Sequence, residues 1–229
     1  VAWRIGDKTV VIPSQRGTRQ GSALGGFFFC VVLQPVLDKV VQQFPMVHVR
    51  AYMDDVTLIG KAEDVAKAFA LYEKECKKIG LEMNRTKCEW LAQRPADESK
   101  VPQNVKVVKG CIKLLGAYIG EDAACTQALQ AAMKKRDPFF DRLRAAPKEV
   151  GYHVLTACGV PLLNYVTRTH NPGVVHAAAE RFDEQVIGAF SYLTGTTLPD
   201  TSIEIMQLPR KRGGAGVACR RACGGCCDA

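Results

Sequence analysis

Residues 47–60 read VHVRAYMDDVTLIG, and this stretch decides the fold of the 229-residue chain. Apolar and polar residues alternate on both sides of Met53 and Asp54, and a period of two residues is typical of β-strands. Two strands that meet at these residues predict a β-hairpin with a two-residue turn. The turn lacks the Asn-Gly or Asp-Gly pair expected of a purely structural hairpin, so its residues point to another role.

Asp54 and Asp55 place two carboxylates side by side at the tip of an otherwise apolar hairpin. Like charges held this close repel each other, and a turn does not need both. The pair is therefore either two solvated turn residues or part of a divalent-metal site. Mg²⁺ suits the second reading, because it is shared between carboxylates and substrate phosphates, and two such ions can hold the reacting oxygens of a phosphoryl transfer. Adjacent strand residues point to opposite faces, so we expect Asp54 to face the metal and Asp55 to support it.

The patterns around this hairpin predict an α+β fold that gives way to helices alone in its C-terminal half. Residues 22–44 are too apolar and too long for a strand, so we expect a buried helix with Ser22 as its N-cap. At Pro35 we expect either a kink or the start of a second segment. Apolar residues at helical spacing predict an amphipathic helix over 62–79 that stops at Gly80. The remaining predicted elements are a strand at 9–12, a strand within 81–91, a second hairpin within 106–120, and helices around 129–143, 150–163 and 174–193.

The composition is that of a folded protein with a basic surplus. The chain is 47% hydrophobic and 24% charged, which excludes an intrinsically disordered protein. Its formal net charge of +8 suits a polyanionic partner. Basic side chains are concentrated in two segments, which are either solvated faces or contacts to nucleic acid. These segments hold Lys134, Lys135, Arg136, Arg142, Arg144 and Lys148, and then Arg210, Lys211, Arg212, Arg220 and Arg221.

Apolar runs and cysteines exclude other classes of protein. The longest apolar run, residues 27–33, is well below the roughly 20 residues that span a bilayer, and no secretory signal is seen. We therefore expect an intracellular protein, nuclear or cytoplasmic, with no membrane partner. Of the ten cysteines, six are isolated and predict reduced thiols. The other four, Cys219, Cys223, Cys226 and Cys227, have metal-like spacing but no following histidine, so we expect a disordered tail over 218–229, with a zinc site as the alternative.

Three further motifs accompany the Asp pair. Residues 19–25 read RQGSALG, residues 80–87 read GLEMNRTK and residues 114–120 read LLGAYIG. In this order and spacing around YMDD, they make residues 9–120 similar to the palm of reverse transcriptases. Residues 121–217 resemble the family more loosely, through QLP at 207–209 and GGAGV at 213–217, which look like non-LTR (LINE-type) retrotransposon polymerases. Met53 is more typical of the retroviral enzymes than of the LINE type, which leaves the subclass open.

The resemblance implies a partial right-hand polymerase. Residues 1–120 would form the palm, an antiparallel sheet with packed helices, and residues 121–217 an all-helical, thumb-like region. RNA template, DNA primer and dNTP would be the partners, with two Mg²⁺ (or Mn²⁺) ions in the complete enzyme. The implied residues are Asp54 and Asp55 as metal ligands and catalytic residues, Lys87 as a catalytic cation, Arg19, Gln20, Gly21 and Tyr52 at the nucleotide, Leu115 and Gly116 in the primer grip, and Lys134, Lys135, Arg136, Arg142 and Arg144 on the nucleic-acid backbone.

One part of the family pattern is missing. The first catalytic Asp of the family lies on a strand before the RQG loop, where this sequence offers only Asp7, in a predicted turn. With this strand and the fingers absent, we expect an RNA-directed DNA polymerase domain of a retroelement that is inactive alone. The alternatives are a non-catalytic nucleic-acid-binding remnant of such a polymerase and a remnant without function. An RNA-dependent RNA polymerase, which usually carries Gly-Asp-Asp, is less favoured.

Overall fold

The structure is a computed structural model that describes residues 2–11, 17 and 21–217, and the chain divides into two compact units, residues 1–107 and 108–229. The first unit mixes strands and helices, and the second is mostly helical, so the predicted α+β class is confirmed. The strands are β1 (Ala2–Ile5), β2 (Lys8–Val11), β3 (His48–Tyr52), β4 (Asp55–Ile59), β5 (Glu89–Leu91), β6 (Lys106–Val108), β7 (Cys111–Leu114) and β8 (Ala117–Gly120). The helices are α1 (Gly25–Gln43), α2 (Ala62–Lys78), α3 (Asp122–Lys134), α4 (Asp137–Ala145), α5 (Lys148–Val154), α6 (Asn164–Thr169), α7 (Pro172–Thr194) and α8 (Asp200–Gln207).

Strand pairing differs from the single antiparallel sheet that the resemblance implies. The described strands form four separate two-stranded sheets, β1–β2, β3–β4, β5–β6 and β7–β8. The predicted hairpin within 106–120 is real but begins at Cys111, because β6 pairs with β5 instead. A two-stranded ribbon buries little by itself. Helices cover two of these ribbons, since β3–β4 contacts α1 and α2, and β7–β8 contacts α3.

Helix α1 is largely exposed, and the prediction of a buried helix is wrong. Only Leu33, Val36 and Val40 are buried, and they lie on the side of α1 that packs with α2 in the core. The opposite face leaves five large apolar side chains exposed: Phe27, Phe28, Val31, Val32 and Val41. The β3–β4 ribbon and helix α2 do not provide enough surface to cover both sides of α1. By length and composition alone, α1 is long and apolar enough to cross a membrane. The same is true of some apolar helices in the cores of soluble proteins.

The start of α1 also differs from prediction. Leu24, not Ser22, occupies the N-cap position, and no side chain caps the helix there. The helix continues through Pro35 without a break, although proline cannot donate the usual backbone hydrogen bond.

Helix α2 follows its sequence pattern closely. Val65, Ala68 and Cys76 are buried, and Val65 and Ala68 pack with Val40 of α1 and Trp90 of β5. The helix ends at Gly80, whose φ of 79° is left-handed. The amide of Leu81 donates to the carbonyl of Cys76 at 3.0 Å, which satisfies an end carbonyl of the helix. The predicted stop at Gly80 is therefore confirmed, because the left-handed backbone of this glycine ends the helix.

The second unit is built around α7. Phe182, Val186 and Ala189 of this helix are buried in a core that also contains Phe140 of α4 and Leu155. The unit starts at Val108, ahead of the boundary predicted near residue 121, because the β7–β8 hairpin packs with these helices. The amide of Tyr118 donates to the imidazole Nε2 of His170 at 2.8 Å and fixes β8 to the end of α6.

Proline sets two helix boundaries that the periodicity alone does not reveal. The helix expected over 129–143 is two helices, since Pro138 lies in the first turn of α4, where its missing amide does no harm. The helix expected over 150–163 is α5, followed by a π-helical turn at 155–159 and a 3-10 turn at 160–163 that contains Pro161. π-Turns are rare and often occur at functional sites.

The GGAGV motif at 213–217 is hydrogen-bonded through its backbone to the end of α8. The amide of Gly216 donates to the carbonyl of Leu208 at 2.9 Å, and the amide of Val217 donates to that of Met206 at 3.2 Å. Val217 is fully buried in the core of the second unit. A Cβ on Gly214 would lie 2.1 Å from the carbonyl oxygen of Leu208, so only glycine fits there. The predicted tail over 218–229 lies outside the described residues.

This close approach makes Gly214 a sensitive position. Gly214→Ala is expected to destabilise the second unit by about 2–3 kcal/mol, because the new methyl group would clash with the carbonyl of Leu208. The matched control is Gly173→Ala in the first turn of α7, where a Cβ would meet nothing within 4 Å. The control should change stability by less than about 1 kcal/mol. Urea unfolding followed by far-UV circular dichroism measures the stability of both variants. Equal midpoints for the two variants would show that the close approach of Gly214 to Leu208 has no role in stability.

Candidate active site

The turn between β3 and β4 is the two-residue turn predicted from the sequence. Tyr52 pairs with Asp55 in the antiparallel register, so Met53 and Asp54 form the tip. Met53 has a φ of 53°, a left-handed conformation that is uncommon for a residue with a side chain. Strained backbone of this kind is found at functional sites when the surrounding structure holds it in place.

Packing against α1 holds this turn in place. The thiol of Cys30 lies 3.8 Å from the sulfur of Met53, within donating distance. A Cβ on Gly26 would lie 3.0 Å from the terminal methyl carbon of Met53, so the absence of a side chain there lets the methionine lie against the helix. The contact fixes the hairpin tip beside the first turns of α1.

The two carboxylates at the tip face solvent. Asp54 and Asp55 are both exposed, and Tyr52 beside them is 63% exposed. Within the residues that the structure describes, no group of three or more His, Cys, Asp or Glu side chains could hold a metal ion. Asp7, the acid nearest the front of the chain, lies exposed in the turn between β1 and β2. The tip therefore offers two oxygen donor groups open to an approaching ligand.

Lys87 lies on a short 3-10 turn that follows α2. The side chain of Asn84 caps this turn, accepting from the amide of Thr86 at 3.2 Å and from its hydroxyl at 2.7 Å. Asn84 in the GLEMNRTK motif therefore has a local structural role, which leaves Lys87 exposed at the end of the turn.

A salt bridge ties the same turn to α2. The guanidinium of Arg85 donates to both carboxylate oxygens of Glu73, with Nε 2.8 Å from Oε1. The side chain of Glu73 is only 12% exposed. The hydrogen bond from Arg85 lowers the pKa of the Glu73 carboxyl below its usual range, although its burial acts in the opposite direction. This pair could not be predicted from the sequence, because its members lie twelve positions apart and their contact depends on the turn.

The RQG motif, for which the resemblance implies nucleotide contacts, is described only in part. Gly21 is exposed, with a left-handed φ of 87°, and precedes α1 by a few residues. Arg19 and Gln20 lie outside the described residues.

The second hairpin turn, at Leu115 and Gly116, is supported from α6. Both residues have positive φ angles, 47° and 88°, as a type I′ turn requires. The hydroxyl of Tyr165 donates to the carbonyl of Leu115, and a Cβ on Gly116 would lie 3.2 Å from the Tyr165 ring. Tyr165 and His170 are supporting residues that sequence reasoning missed, since neither belongs to a recognisable motif.

The five basic residues chosen from the sequence fall into two groups. Arg144 is paired with Asp141 at 3.0 Å, and Arg136 donates to the carbonyl of Leu162 at 2.6 Å. Lys134, Lys135 and Arg142 are exposed. The structure thus separates two arginines with structural contacts from three cations that face solvent.

The salt bridge between Arg85 and Glu73 predicts a pH dependence of stability. The pKa of Glu73 is lowered on folding, so its contribution is present above the pKa of an ordinary glutamate and is lost as pH falls through the lower folded value. Glu73→Gln should remove this part of the acid sensitivity and lower the melting temperature at neutral pH. The control is Glu82→Gln, an exposed residue.

Tryptophan fluorescence gives the readout, because Trp3 and Trp90, the two tryptophans of the chain, both belong to the first unit. If the Glu73→Gln and Glu82→Gln variants showed the same melting temperature as the parent chain at every pH, the bridge would have no role in stability.

Comparison with known proteins identifies the family. The model of the reverse transcriptase (RNA-dependent DNA polymerase) family matches residues 4–119 of this chain. A curated relative, the retrotransposable element SLACS 132 kDa protein of Trypanosoma brucei gambiense, is 24% identical over 210 residues. The alignment covers 89% of this chain but only 17% of that protein. No solved structure matches. The family match includes the YMDD hairpin, the GLEMNRTK turn and most of the second hairpin, and on this evidence the chain belongs to the reverse transcriptase family.

Proposed function

We propose that this chain is part of an RNA-directed DNA polymerase of a non-LTR retroelement, with Asp54 and Asp55 as its catalytic carboxylates. One observation carries the proposal: the family match contains a hairpin whose strained Met53 turn, packed on α1, exposes two adjacent carboxylates. The matching SLACS protein is named as a retrotransposable element protein, which supports the retroelement origin.

The donor chemistry of the tip fits a hard divalent cation. Mg²⁺ prefers carboxylate oxygens, keeps several waters and takes further ligands from substrate phosphates. Asp54 and Asp55 would hold it, and the ion would stabilise the negative charge that develops in phosphoryl transfer. Two carboxylates form a smaller donor set than an all-protein site needs, so the nucleotide must supply the remaining ligands. Mn²⁺, which also takes oxygen ligands, would bind in the same place.

The other motif residues would surround the nucleotide and the primer. Lys87 would neutralise charge on the leaving pyrophosphate, for which its exposed position at the end of a capped turn is suitable. Gly21, with Arg19 and Gln20, would meet the incoming nucleotide, and Tyr52 would pack beneath the template–primer. The turn at Leu115 and Gly116 would form the primer grip, and its support by Tyr165 would keep it rigid.

The palm and thumb assignments belong to this proposal. Residues 1–120 would act as an incomplete palm and residues 121–217 as a thumb that contacts the nucleic-acid backbone. Such contacts are independent of sequence and weaken as salt concentration rises. Three exposed cations, Lys134, Lys135 and Arg142, are the side chains suited to this role.

Metal binding gives a direct prediction. Mn²⁺, measured by electron paramagnetic resonance in the presence of a dNTP, should bind weakly to the chain. Asp54→Asn should reduce the affinity by roughly tenfold or more, since it removes a charged ligand. Asp7→Asn, which removes an equally exposed carboxylate from another turn, is the control and should leave binding unchanged. Equal losses in both variants would mean that the metal responds to overall charge and not to the hairpin.

Polymerase activity gives a second prediction. The chain alone should not extend a DNA primer on an RNA template with Mg²⁺ or Mn²⁺. The described residues place two carboxylates at the hairpin, whereas the family also uses a third carboxylate from another strand. The chain should still bind the RNA–DNA hybrid in a salt-dependent way. Incorporation of dNTP that is abolished by Asp54→Ala would show that the chain is active as it stands. Hybrid binding that is indifferent to Asp54→Ala and to the metal would favour the non-catalytic alternative.

A further inference from the structure

Two cysteine thiols meet where the β7–β8 hairpin joins α3. Cys111 is the first residue of β7, and Cys125 lies in the first turn of α3. Their side chains are hydrogen-bonded to each other, and both thiols are free. The base of the hairpin therefore contains two adjacent sulfur atoms that no covalent bond joins.

The surrounding backbone holds these two thiols together. The amide of Glu121 donates to the carbonyl of Gly110 at 2.8 Å, which ties the residue before β7 to the residue before α3. A Cβ on Gly110 would lie 2.7 Å from the Cβ of Ala124, so the two segments approach closely one position before each cysteine. The approach of β7 to α3 is therefore fixed by groups other than the thiols.

Contact with a second thiol distinguishes this pair from another pair in the first unit. Cys76 is buried and Cys88 is partly buried, as Cys125 and Cys111 are. The thiol of Cys76, however, is hydrogen-bonded to the hydroxyl of Tyr72, and the thiol of Cys88 donates to a backbone carbonyl. Cys76 and Cys88 are therefore a matched comparison in which burial is similar and the partners are not cysteines.

From this contact we propose that Cys111 and Cys125 are a peroxide-sensitive dithiol that closes to a disulfide and joins the base of the β7–β8 hairpin to α3. Hydrogen peroxide would oxidise the more accessible Cys111 to a sulfenic acid, and one water would leave. The sulfur of Cys125 would then attack the sulfur of Cys111, so that the S–S bond forms, the S–O bond breaks and a second water leaves. Two thiols and one peroxide thus give one disulfide and two waters, and thiol–disulfide exchange with an added thiol reverses the reaction.

The burial of Cys125 decides the order of these steps. Cys125 is 3% exposed, so peroxide reaches Cys111 first. Burial also raises the pKa of the Cys125 thiol, and the neighbouring thiol of Cys111 acts in the same direction. Because the thiolate is the attacking form, the closing step should be slow at neutral pH and faster as the pH rises.

The disulfide would close a loop over residues 111–125 that contains the whole β7–β8 hairpin. A bond that closes such a loop restricts the unfolded chain more than the folded one. Oxidation should therefore raise the melting temperature of the second unit by about 5 °C or more. Circular dichroism melting of the oxidised and reduced chain measures this shift.

Peptide mapping identifies the bond itself. The folded full-length chain is treated with hydrogen peroxide, its remaining thiols are alkylated, and trypsin is added. Cleavage after Lys113 separates the two cysteines, so the disulfide should join peptide 110–113 to peptide 114–134. Reduction with dithiothreitol before digestion should remove the joined species.

The same digest contains the matched comparison. Cys76 and Cys88 lie in tryptic peptides 75–77 and 88–100, which should remain unjoined after the same treatment. Joining of these peptides at the same rate as the Cys111 and Cys125 peptides would show that oxidation does not depend on contact between thiols, and would overturn the proposal.

Two variants complete the test. Cys111→Ser, at the partly buried member of the pair, should abolish both the joined peptides and the rise in melting temperature. Cys158→Ser removes an exposed thiol and should retain both. Circular dichroism of the reduced variants verifies that each is folded.

Two further outcomes would overturn the dithiol assignment. One is oxidation of Cys111 to a sulfinic acid without any joined peptides, and the other is a disulfide from Cys111 to a cysteine other than Cys125. Mn²⁺ binding at Asp54 is not part of this test, so the dithiol and the proposed polymerase function can fail separately.

Discussion

The contact between Met53 and the first turns of α1 is the constraint on which the candidate site depends. Gly26 has no side chain, and Cys30 brings its thiol to the methionine sulfur, so the hairpin tip lies directly on the helix. This packing holds Met53 in a left-handed conformation that its side chain would otherwise disfavour. The two carboxylates that follow are consequently presented at a fixed point. A freely moving loop would not present them in this way.

Much of the local structure could be predicted because it follows from local physics. Period-two alternation identified the β3–β4 hairpin, and helical periodicity with a glycine stop identified α2. What could not be predicted depends on distant neighbours. The exposure of α1 reflects how little surface the two-stranded ribbons offer, and the sequence does not reveal strand number. The support of Leu115 by Tyr165 joins residues fifty positions apart, for which no spacing rule exists.

The motifs themselves divide into chemical and structural parts once the geometry is known. In GLEMNRTK, Gly80 ends α2, Asn84 caps the next turn and Arg85 pairs with Glu73, while Lys87 is exposed. In GGAGV, the absence of a side chain on Gly214 allows the backbone to lie against Leu208. Several residues of these motifs therefore have observed structural roles at the ends of helices and turns.

Paramagnetic broadening in nuclear magnetic resonance tests most directly whether a divalent ion binds at the β3–β4 tip. Substoichiometric Mn²⁺ with a dNTP should broaden the amide signals of Met53, Asp54 and Asp55 first, together with that of Gly26, which packs against the tip. Broadening centred on any other part of the chain, or broadening at the tip that persists after Asp54→Asn, would contradict the account.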